Sequence, residues 1–296
     1  THSYSSAASD VYKRQLKLLQ KIFPRDISKV KIGRCSYQFA CYHDGGIITD
    51  GLLLRVEENK YWFAQADGDL FSWYLAHSDG LDVQISDPDV WVSQVQGPKS
   101  MDLLEKLTNT ETVKTWKYFD WLEVEIAKEK MIISRTGFTN ELGWEIYFRP
   151  ENNSEKVGDL ILNEGKKLGM ILVATPGFRC RRIEAGLLSA GQDFSKYTNP
   201  FSVGLGKFID FDKENFIGKN ALSKADKTCF SWGIRVEDGI AIKGEIVNSN
   251  GKEVGKITSS TWSPYQVCGV GIVYLNDKNL TAGSIVEVKC TDGKIH

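Results

Sequence analysis

Histidine is scarce in this chain, with four copies among 296 residues. His2 and His296 lie at the two ends, which leaves His43 and His77 for chemistry inside the sequence. So small a number of histidines argues against a zinc site that is built on histidine ligands. It also argues against a mechanism in which histidine is the general base.

Net charge and long apolar runs are also lacking. The 37 basic and 38 acidic residues leave a formal net charge of −1, which gives no electrostatic reason to expect nucleic acid or an anionic membrane as a partner. No apolar run approaches the roughly 18 residues of a membrane span. With 42% hydrophobic and 25% charged residues, the composition is that of an ordinary globular protein.

The six cysteines are irregularly spaced, and no two of them form a C-x-x-C motif. In a chain of this length, that pattern favours reduced thiols over a disulfide framework. We therefore predict a cytoplasmic protein.

The first fifteen residues stand apart from the rest. The stretch SSAASDVYKRQ (5–15) has neither helical period nor strand alternation, and no apolar segment of a secretory signal follows it. Written back into codons, it resembles the adapter of transposon-based sequencing libraries. We predict that residues 1–15 are not native and that native sequence begins near Leu16; a natural flexible tail is the alternative.

Hydrophobic periodicity predicts alternating strands and helices over most of the chain. IITDGLLLRV (47–56) and YWFAQA (61–66) form a predicted β-hairpin, and LDVQIS (81–86) a further strand. Helices are predicted over 97–108 and 153–170, where apolar residues recur at helical spacing. This mixture is typical of an α+β domain.

The residue composition and the predicted secondary structure change after residue 222. ALSKADKT (221–228) is polar and is interpreted as a linker. Short strands punctuated by Gly, Asn and Asp follow it, a pattern typical of a small antiparallel barrel. We predict an α+β domain over 16–222 and a C-terminal antiparallel β-barrel over 229–296.

One carboxylate lies in an otherwise apolar strand, WEIYF (144–148). With a period of two, Trp144 and Ile146 share one face and Glu145 and Tyr147 share the other. A buried carboxylate requires a partner. The plain alternative is that Glu145 lies on a wet sheet face and binds nothing.

Five segments in order resemble the folate-dependent aminomethyltransferase family, whose founding member is the T-protein of glycine cleavage. The resemblance covers essentially all of residues 16–296, and it implies the family's mixed α/β folate-binding fold, followed by the barrel. It also implies that both ends are clipped. The segments are GGIITDG (45–51), QGPKS (96–100), SRTGFTNELGWEIYF (134–148), RRIEAGLLSAGQDF with its continuation to GKNAL (181–222), and GKITSSTWSP (255–264).

The resemblance implies tetrahydrofolate as co-substrate and gives five residues candidate roles. Glu145 matches the residue that accepts the two parallel pterin N–H donors, and Asp50 matches the acid beside the reacting folate nitrogens. Phe138 and Tyr147 are candidate aromatic walls, and Arg182 is a candidate for the folate tail carboxylates. The plain alternatives are a turn aspartate for Asp50, core packing for the aromatics and a structural anchor for Arg182.

Two departures from the T-protein pattern bear on the reaction. Thr49 stands where the T-protein has a first acid, and Phe178 stands where it has an arginine. KIGRC (31–35) and NPFSVGL with NFIGK also resemble the dimethylsulfoniopropionate demethylase-like branch more than the T-protein. We therefore expect methyl transfer from a small sulfonium or amine donor to N5 of tetrahydrofolate, which needs alignment more than proton shuttling.

Three alternatives remain open at this point. The chain could be a glycine-cleavage-type aminomethyltransferase that acts on a lipoyl carrier protein. It could be the folate domain of a flavin-dependent amine demethylase. It could also be a folate-binding module without catalysis.

Overall fold

The computed structural model describes residues 14–65, 68–108 and 115–296. The segment predicted to be non-native lies outside these ranges, except for its last two residues, which begin the first helix of the described part. The helices are α1 (Arg14–Ile22), α2 (Leu70–His77), α3 (Ser100–Thr108), α4 (Ser154–Lys167), α5 (Thr175–Glu184) and α6 (Lys219–Lys224). The strands are β1 (Cys35–Cys41), β2 (Ile47–Glu57), β3 (Lys60–Gln65), β4 (Trp91–Gln96), β5 (Trp121–Ile126), β6 (Glu129–Ser134), β7 (Gly143–Phe148), β8 (Ser231–Val236), β9 (Ile246–Ser249), β10 (Lys252–Ser263), β11 (Cys268–Leu275) and β12 (Glu287–Val288).

The first sheet is antiparallel, in the order β1-β2-β3, and its hairpin β2–β3 is the one predicted from the sequence. Side chains alternate between its two faces because the strand period is two. One face carries Leu53 and packs against Ile22 and Phe23 near the end of α1 and against Leu70 of α2. Helices α1 and α2 therefore cover this side of the sheet.

The second sheet has the order β4-β7-β6-β5. Trp144 and Ile146 of β7 point to the same side and pack with Leu104 of α3 and Val157 of α4. The indole N–H of Trp144 donates to the carbonyl of Ser100 at 2.9 Å, which ties β7 to the start of α3. Both helices thus lie on one face of this sheet as well.

The face of the first sheet opposite α1 and α2 meets the face of the second sheet opposite α3 and α4. Cys35 and Leu54 of the first sheet pack against Ile132 and Tyr147 of the second, and all four are buried. This apolar contact joins the two sheets, and the side chains around it lie between them.

The C-terminal residues form an antiparallel sheet in the order β12-β9-β10-β11-β8 around its own core. Helix α5 packs across this sheet, with Ile183 against Val270 and Ile272 of β11. The predicted α+β fold with a C-terminal barrel is confirmed. Among the described helices, none combines the length and the apolar composition that a membrane span requires.

Two local predictions were wrong. LDVQIS (81–86) forms no strand; Leu81, Val83 and Ile85 pack onto the core of the first sheet without a ladder partner. Its alternation therefore reports one buried side and not strand pairing. Part of the expected linker 221–228 belongs to α6, which buries Leu222 completely.

Candidate active site between two sheets

The candidate site lies between the facing surfaces of the two sheets, and Asp50 belongs to it. Asp50 precedes Leu52 and Leu54 at intervals of two on β2, so its side chain is on the face that turns towards the second sheet. The Tyr37 hydroxyl on β1 donates to Asp50 Oδ2 at 2.8 Å. Burial and then the charge of Asp50 raise the pKa of Tyr37, so this hydroxyl stays protonated.

Glu145 occupies the corresponding surface of the second sheet. It precedes Tyr147 by two positions on β7, so both side chains point towards the first sheet. Its side chain is partly exposed, and the Thr136 hydroxyl donates to its Oε2. Burial raises the pKa of Glu145, and the Thr136 hydrogen bond opposes that shift. The carboxylates of Asp50 and Glu145 therefore project from the two sheet faces that are turned towards each other. We call the region between these faces the inter-sheet cleft.

Phe138 lies in the loop between β6 and β7, next to Phe178 of α5. The two ring centroids are 5.6 Å apart at an interplanar angle of 40°. The Phe138 amide donates to Gln94 Oε1 at 3.3 Å, and Gln94 stands directly opposite Glu145 on β4. Phe138 is thus connected to the strand position beside the candidate pterin carboxylate.

Gln96 explains why two of the sequence segments occur together. Its side-chain amide donates to the carbonyl of Thr136 at 3.1 Å, and its Oε1 accepts from Thr139 at 2.9 Å. A Cβ on Gly137 would lie 2.2 Å from Gln96 Oε1, and one on Gly143 would lie 2.5 Å from Gln96 Nε2. Gly143 is required because a Cβ there would also lie 2.5 Å from the carbonyl oxygen of Val95, whereas a Cβ on Gly137 would displace the Gln96 side chain that holds the Phe138 loop in place.

Tyr147 is buried in the contact between the sheets. Its ring lies 6.2 Å from that of Trp62, and only 1% of the residue is exposed. Its hydroxyl lies 3.2 Å from Ser134 Oγ. Tyr147 thus lies inside the contact between the sheets, and its role as a pterin wall stays a prediction.

Arg182 lies elsewhere, in the contact between α5 and the barrel. The residue is 1% exposed, and its guanidinium donates to Asp193 at 2.7 Å, Ser259 at 2.8 Å and the carbonyl of Leu187 at 2.9 Å. Asp193 also accepts from Thr258 and Ser259, each at 2.6 Å. Because the N–H donors of its guanidinium are already engaged, Arg182 is not included in the candidate site, and its role towards the folate tail stays a prediction.

Sequence reasoning missed Tyr37 and Asp193. The signal for Tyr37 is the alternation of β1, which places it on the same face as Asp50 once the strand pairing is known. For Asp193 no local pattern pairs it with Arg182, and Ser259, which it also contacts, is 66 residues away in the chain.

The described residues hold no group of three or more His, Cys, Asp and Glu side chains that could bind a metal ion. All six cysteines are free thiols, as predicted. The cytoplasmic location stays a prediction.

Comparison with known proteins identifies the fold and the family. Residues 13–213 match the GCVT N-terminal domain, and residues 231–296 match the glycine cleavage T-protein C-terminal barrel domain. The chain belongs to the glycine cleavage T-protein family. The resemblance seen in the five sequence segments is therefore confirmed.

Three relatives show the range of named activities in this family. An aminomethyltransferase from Bacillus subtilis is 32% identical over 93% of this chain and 78% of its own length. An aminomethyltransferase from Halothermothrix orenii is 30% identical over 92% and 78%. The dimethylsulfoniopropionate demethylase DmdA of Ruegeria pomeroyi is also 30% identical, over 94% and 77%. These names confirm the prediction that the chain is a transferase.

A solved structure of the glycine cleavage system aminomethyltransferase T from Bartonella henselae superposes with a TM-score of 0.84. It covers 95% of this chain and 78% of the other at 21% identity. This likeness supports the fold of the T-protein family.

Proposed function

We propose that this T-protein family member transfers a methyl group from a small sulfonium or amine donor to tetrahydrofolate. The observation that carries the proposal is the pair of carboxylates, Asp50 and Glu145, on facing sheet surfaces. Each is held by a hydroxyl donor, Tyr37 or Thr136, and each belongs to a segment that resembles the family's folate site.

Glu145 is suited to hold the pterin ring. Thr136 is its one protein hydrogen-bond donor within the described ranges, so the carboxylate retains acceptor capacity on both oxygens. The pterin 2-amino group and the adjacent ring N–H are two parallel donors that match a carboxylate fork. Because burial already disfavours the bare charge, a ligand that supplies these donors would be bound strongly.

Asp50 is suited to the reacting nitrogen. With a sulfonium donor, the N5 lone pair forms a bond to the methyl carbon, and the carbon–sulfur bond breaks with its electron pair staying on sulfur. The positive charge thus moves from sulfur to N5, whose proton then leaves to solvent. A fixed carboxylate stabilises that charge as it develops, and the Tyr37 hydrogen bond fixes Asp50.

Phe138 and Phe178 support a cationic methyl donor. The T-protein pattern has an arginine at position 178, whereas here an aromatic ring packs against the candidate wall. A sulfonium or ammonium group is attracted to aromatic faces, and an arginine would repel it.

Thr49 no longer helps to distinguish the reactions. It is fully buried and adjacent to Asp50 on β2, so its side chain points to the opposite face of the sheet. An acid at this position would not face the inter-sheet cleft. The preference for a small-molecule donor therefore rests on Phe178 and on the resemblance to the demethylase-like branch.

The second candidate is aminomethyl transfer from a lipoyl carrier protein to tetrahydrofolate, with methylenetetrahydrofolate and ammonia as products. It is favoured by the aminomethyltransferase names of the Bacillus subtilis and Halothermothrix orenii relatives. The two candidates share the pterin site and differ in the donor.

The test incubates the protein with tetrahydrofolate and dimethylsulfoniopropionate and detects 5-methyltetrahydrofolate and the demethylated sulfide by mass spectrometry. Parallel reactions contain dimethylglycine or an aminomethylated lipoyl carrier protein. We expect methyl product with a small-molecule donor, and its loss in Glu145→Ala and in Asp50→Asn. Product from the lipoyl carrier alone would establish the second candidate. Absence of tetrahydrofolate binding would refute both.

A further inference from the structure

A chain of three hydroxyl groups leads from the core to Glu145. The Tyr147 hydroxyl lies 3.2 Å from Ser134 Oγ, Ser134 Oγ is hydrogen-bonded to Thr136 Oγ1, and Thr136 donates to Glu145 Oε2. Ser134 is fully buried, and Thr136 and Tyr147 are nearly so. The three side chains therefore form a connected polar path inside the contact between the sheets.

The direction of the hydrogen bonds follows from the carboxylate at the end of the path. Ionised Glu145 is an acceptor only, so Thr136 must donate to it. Thr136 then accepts from Ser134, and Ser134 accepts from Tyr147. Each hydroxyl that donates towards the carboxylate is polarised by the one behind it, which strengthens the last bond.

We propose that Ser134, Thr136 and Tyr147 are positioning residues that fix Glu145 in the orientation that receives the pterin donors. This inference rests on the proposed function, and it assigns Tyr147 an action through Ser134 and Thr136 instead of contact with the ligand. Without the path, Glu145 could rotate within the cleft, and its carboxylate plane would have to be ordered when the ligand binds.

The other titratable groups near Glu145 do not interfere with a pH measurement. The charge of Glu145 acts on Cys35 of β1, on Tyr118 in the segment before β5 and on Tyr147 of its own strand. Burial is the first cause that raises the pKa of each of these groups, so all three stay neutral as Glu145 titrates.

The first measurement is the affinity for 5-formyltetrahydrofolate, a stable folate probe, by calorimetry across pH. Thr136→Val removes the donor to Glu145, and we expect binding about tenfold weaker, with Thr136→Ser restoring most of it. Tyr147→Phe removes the far end of the path, and we expect a loss of about threefold. The matched control is Tyr74→Phe, because Tyr74 also buries its hydroxyl but gives it no partner within the described part of the chain. This control should bind normally.

The second measurement follows the carboxyl carbon of Glu145 by NMR in the ligand-free protein, assigned by its absence in Glu145→Gln. Thr136→Val should raise the pKa of Glu145, and Tyr147→Phe should raise it less, because each loses support for the ionised form. Tyr74→Phe should leave it unchanged.

The outcomes separate this inference from the proposed function. If the wild-type protein does not bind the folate probe, the proposed function fails, and the NMR titration still decides whether the path acts on Glu145. If the probe binds and Glu145→Gln abolishes binding, but Thr136→Val and Tyr147→Phe change neither affinity nor titration, the positioning role is refuted. Should Thr136→Val not fold, Tyr147→Phe carries the same test.

Discussion

Two acids lie in the packing contacts of this protein, one fully buried and one partly buried, and their hydrogen bonds are satisfied in different ways. Asp193, between α5 and the barrel, has a fully buried side chain that accepts from Arg182, Ser259 and Thr258. Glu145, between the two sheets, receives one hydrogen bond from Thr136 within the part of the chain that the structure describes. A fully paired buried acid is structural, whereas one with unused acceptor capacity is suited to a ligand.

We expect the largest effect from breaking the ion pair between Arg182 and Asp193. Arg182→Met leaves Asp193 buried without its cation, and we expect it to lower the free energy of unfolding by about 3–5 kcal/mol. Denaturant unfolding followed by circular dichroism measures this loss. A companion Arg182→Met/Asp193→Leu variant should recover most of it, because no unpaired charge remains. Folate affinity per folded molecule should not change in either variant; a specific loss of affinity would return Arg182 to the binding site.

The second-largest effect should come from Glu145, the acid with unused acceptor capacity. Glu145→Gln replaces a charged double acceptor by an amide with one acceptor oxygen, so it can no longer accept both pterin donors. We expect affinity for 5-formyltetrahydrofolate to fall about 100-fold, measured by calorimetry. Glu125→Gln, an exposed carboxylate on β5, is the matched control and should bind normally. Equal affinities in the two variants would contradict the assignment of Glu145.

A smaller loss should follow removal of the aromatic wall. Phe138→Ala deletes the ring that packs on Phe178, and we expect about tenfold weaker folate binding. Phe138→Tyr keeps the ring and should stay within about twofold of wild type. If Phe138→Ala binds folate as well as wild type does, the ring is core packing and not a wall.

The smallest effect that we expect is a slight gain in stability from Glu145→Gln, in contrast to the loss expected from Arg182→Met. The pKa of Glu145 is raised above its ordinary value of 4.5, so the ionised group destabilises the fold, and stability falls as pH rises from 4.5 through the folded-state pKa. Glu145→Gln should remove this dependence and raise the melting temperature slightly at pH 7. Thermal unfolding from pH 4 to pH 8 measures it. A lower melting temperature in Glu145→Gln would show that Glu145 is paired in the way that Asp193 is.

Local pattern predicted much of the fold because the direction of a side chain depends on its own strand. The period of two placed Trp144 and Ile146 on the helix-covered face of β7 and Glu145 on the other, as observed. The same pattern failed at 81–86, where alternating apolar residues are half-buried without a strand partner. Alternation reports burial on one side, and hydrogen-bonded pairing depends on which chain segment lies alongside.

By itself, the sequence determined the α+β class, the barrel and the face to which each strand residue points, since these follow from local composition and period. The family resemblance came from five sequence segments in order. Only the tertiary structure decided which acids are paired. Arg182 and Ser259 are 77 residues apart in the chain and yet meet at Asp193. Glu145 faces a sheet whose strands end 80 residues before it in the chain. A buried charge takes its role from its neighbours in space, and those neighbours are set by how the sheets and the barrel pack together.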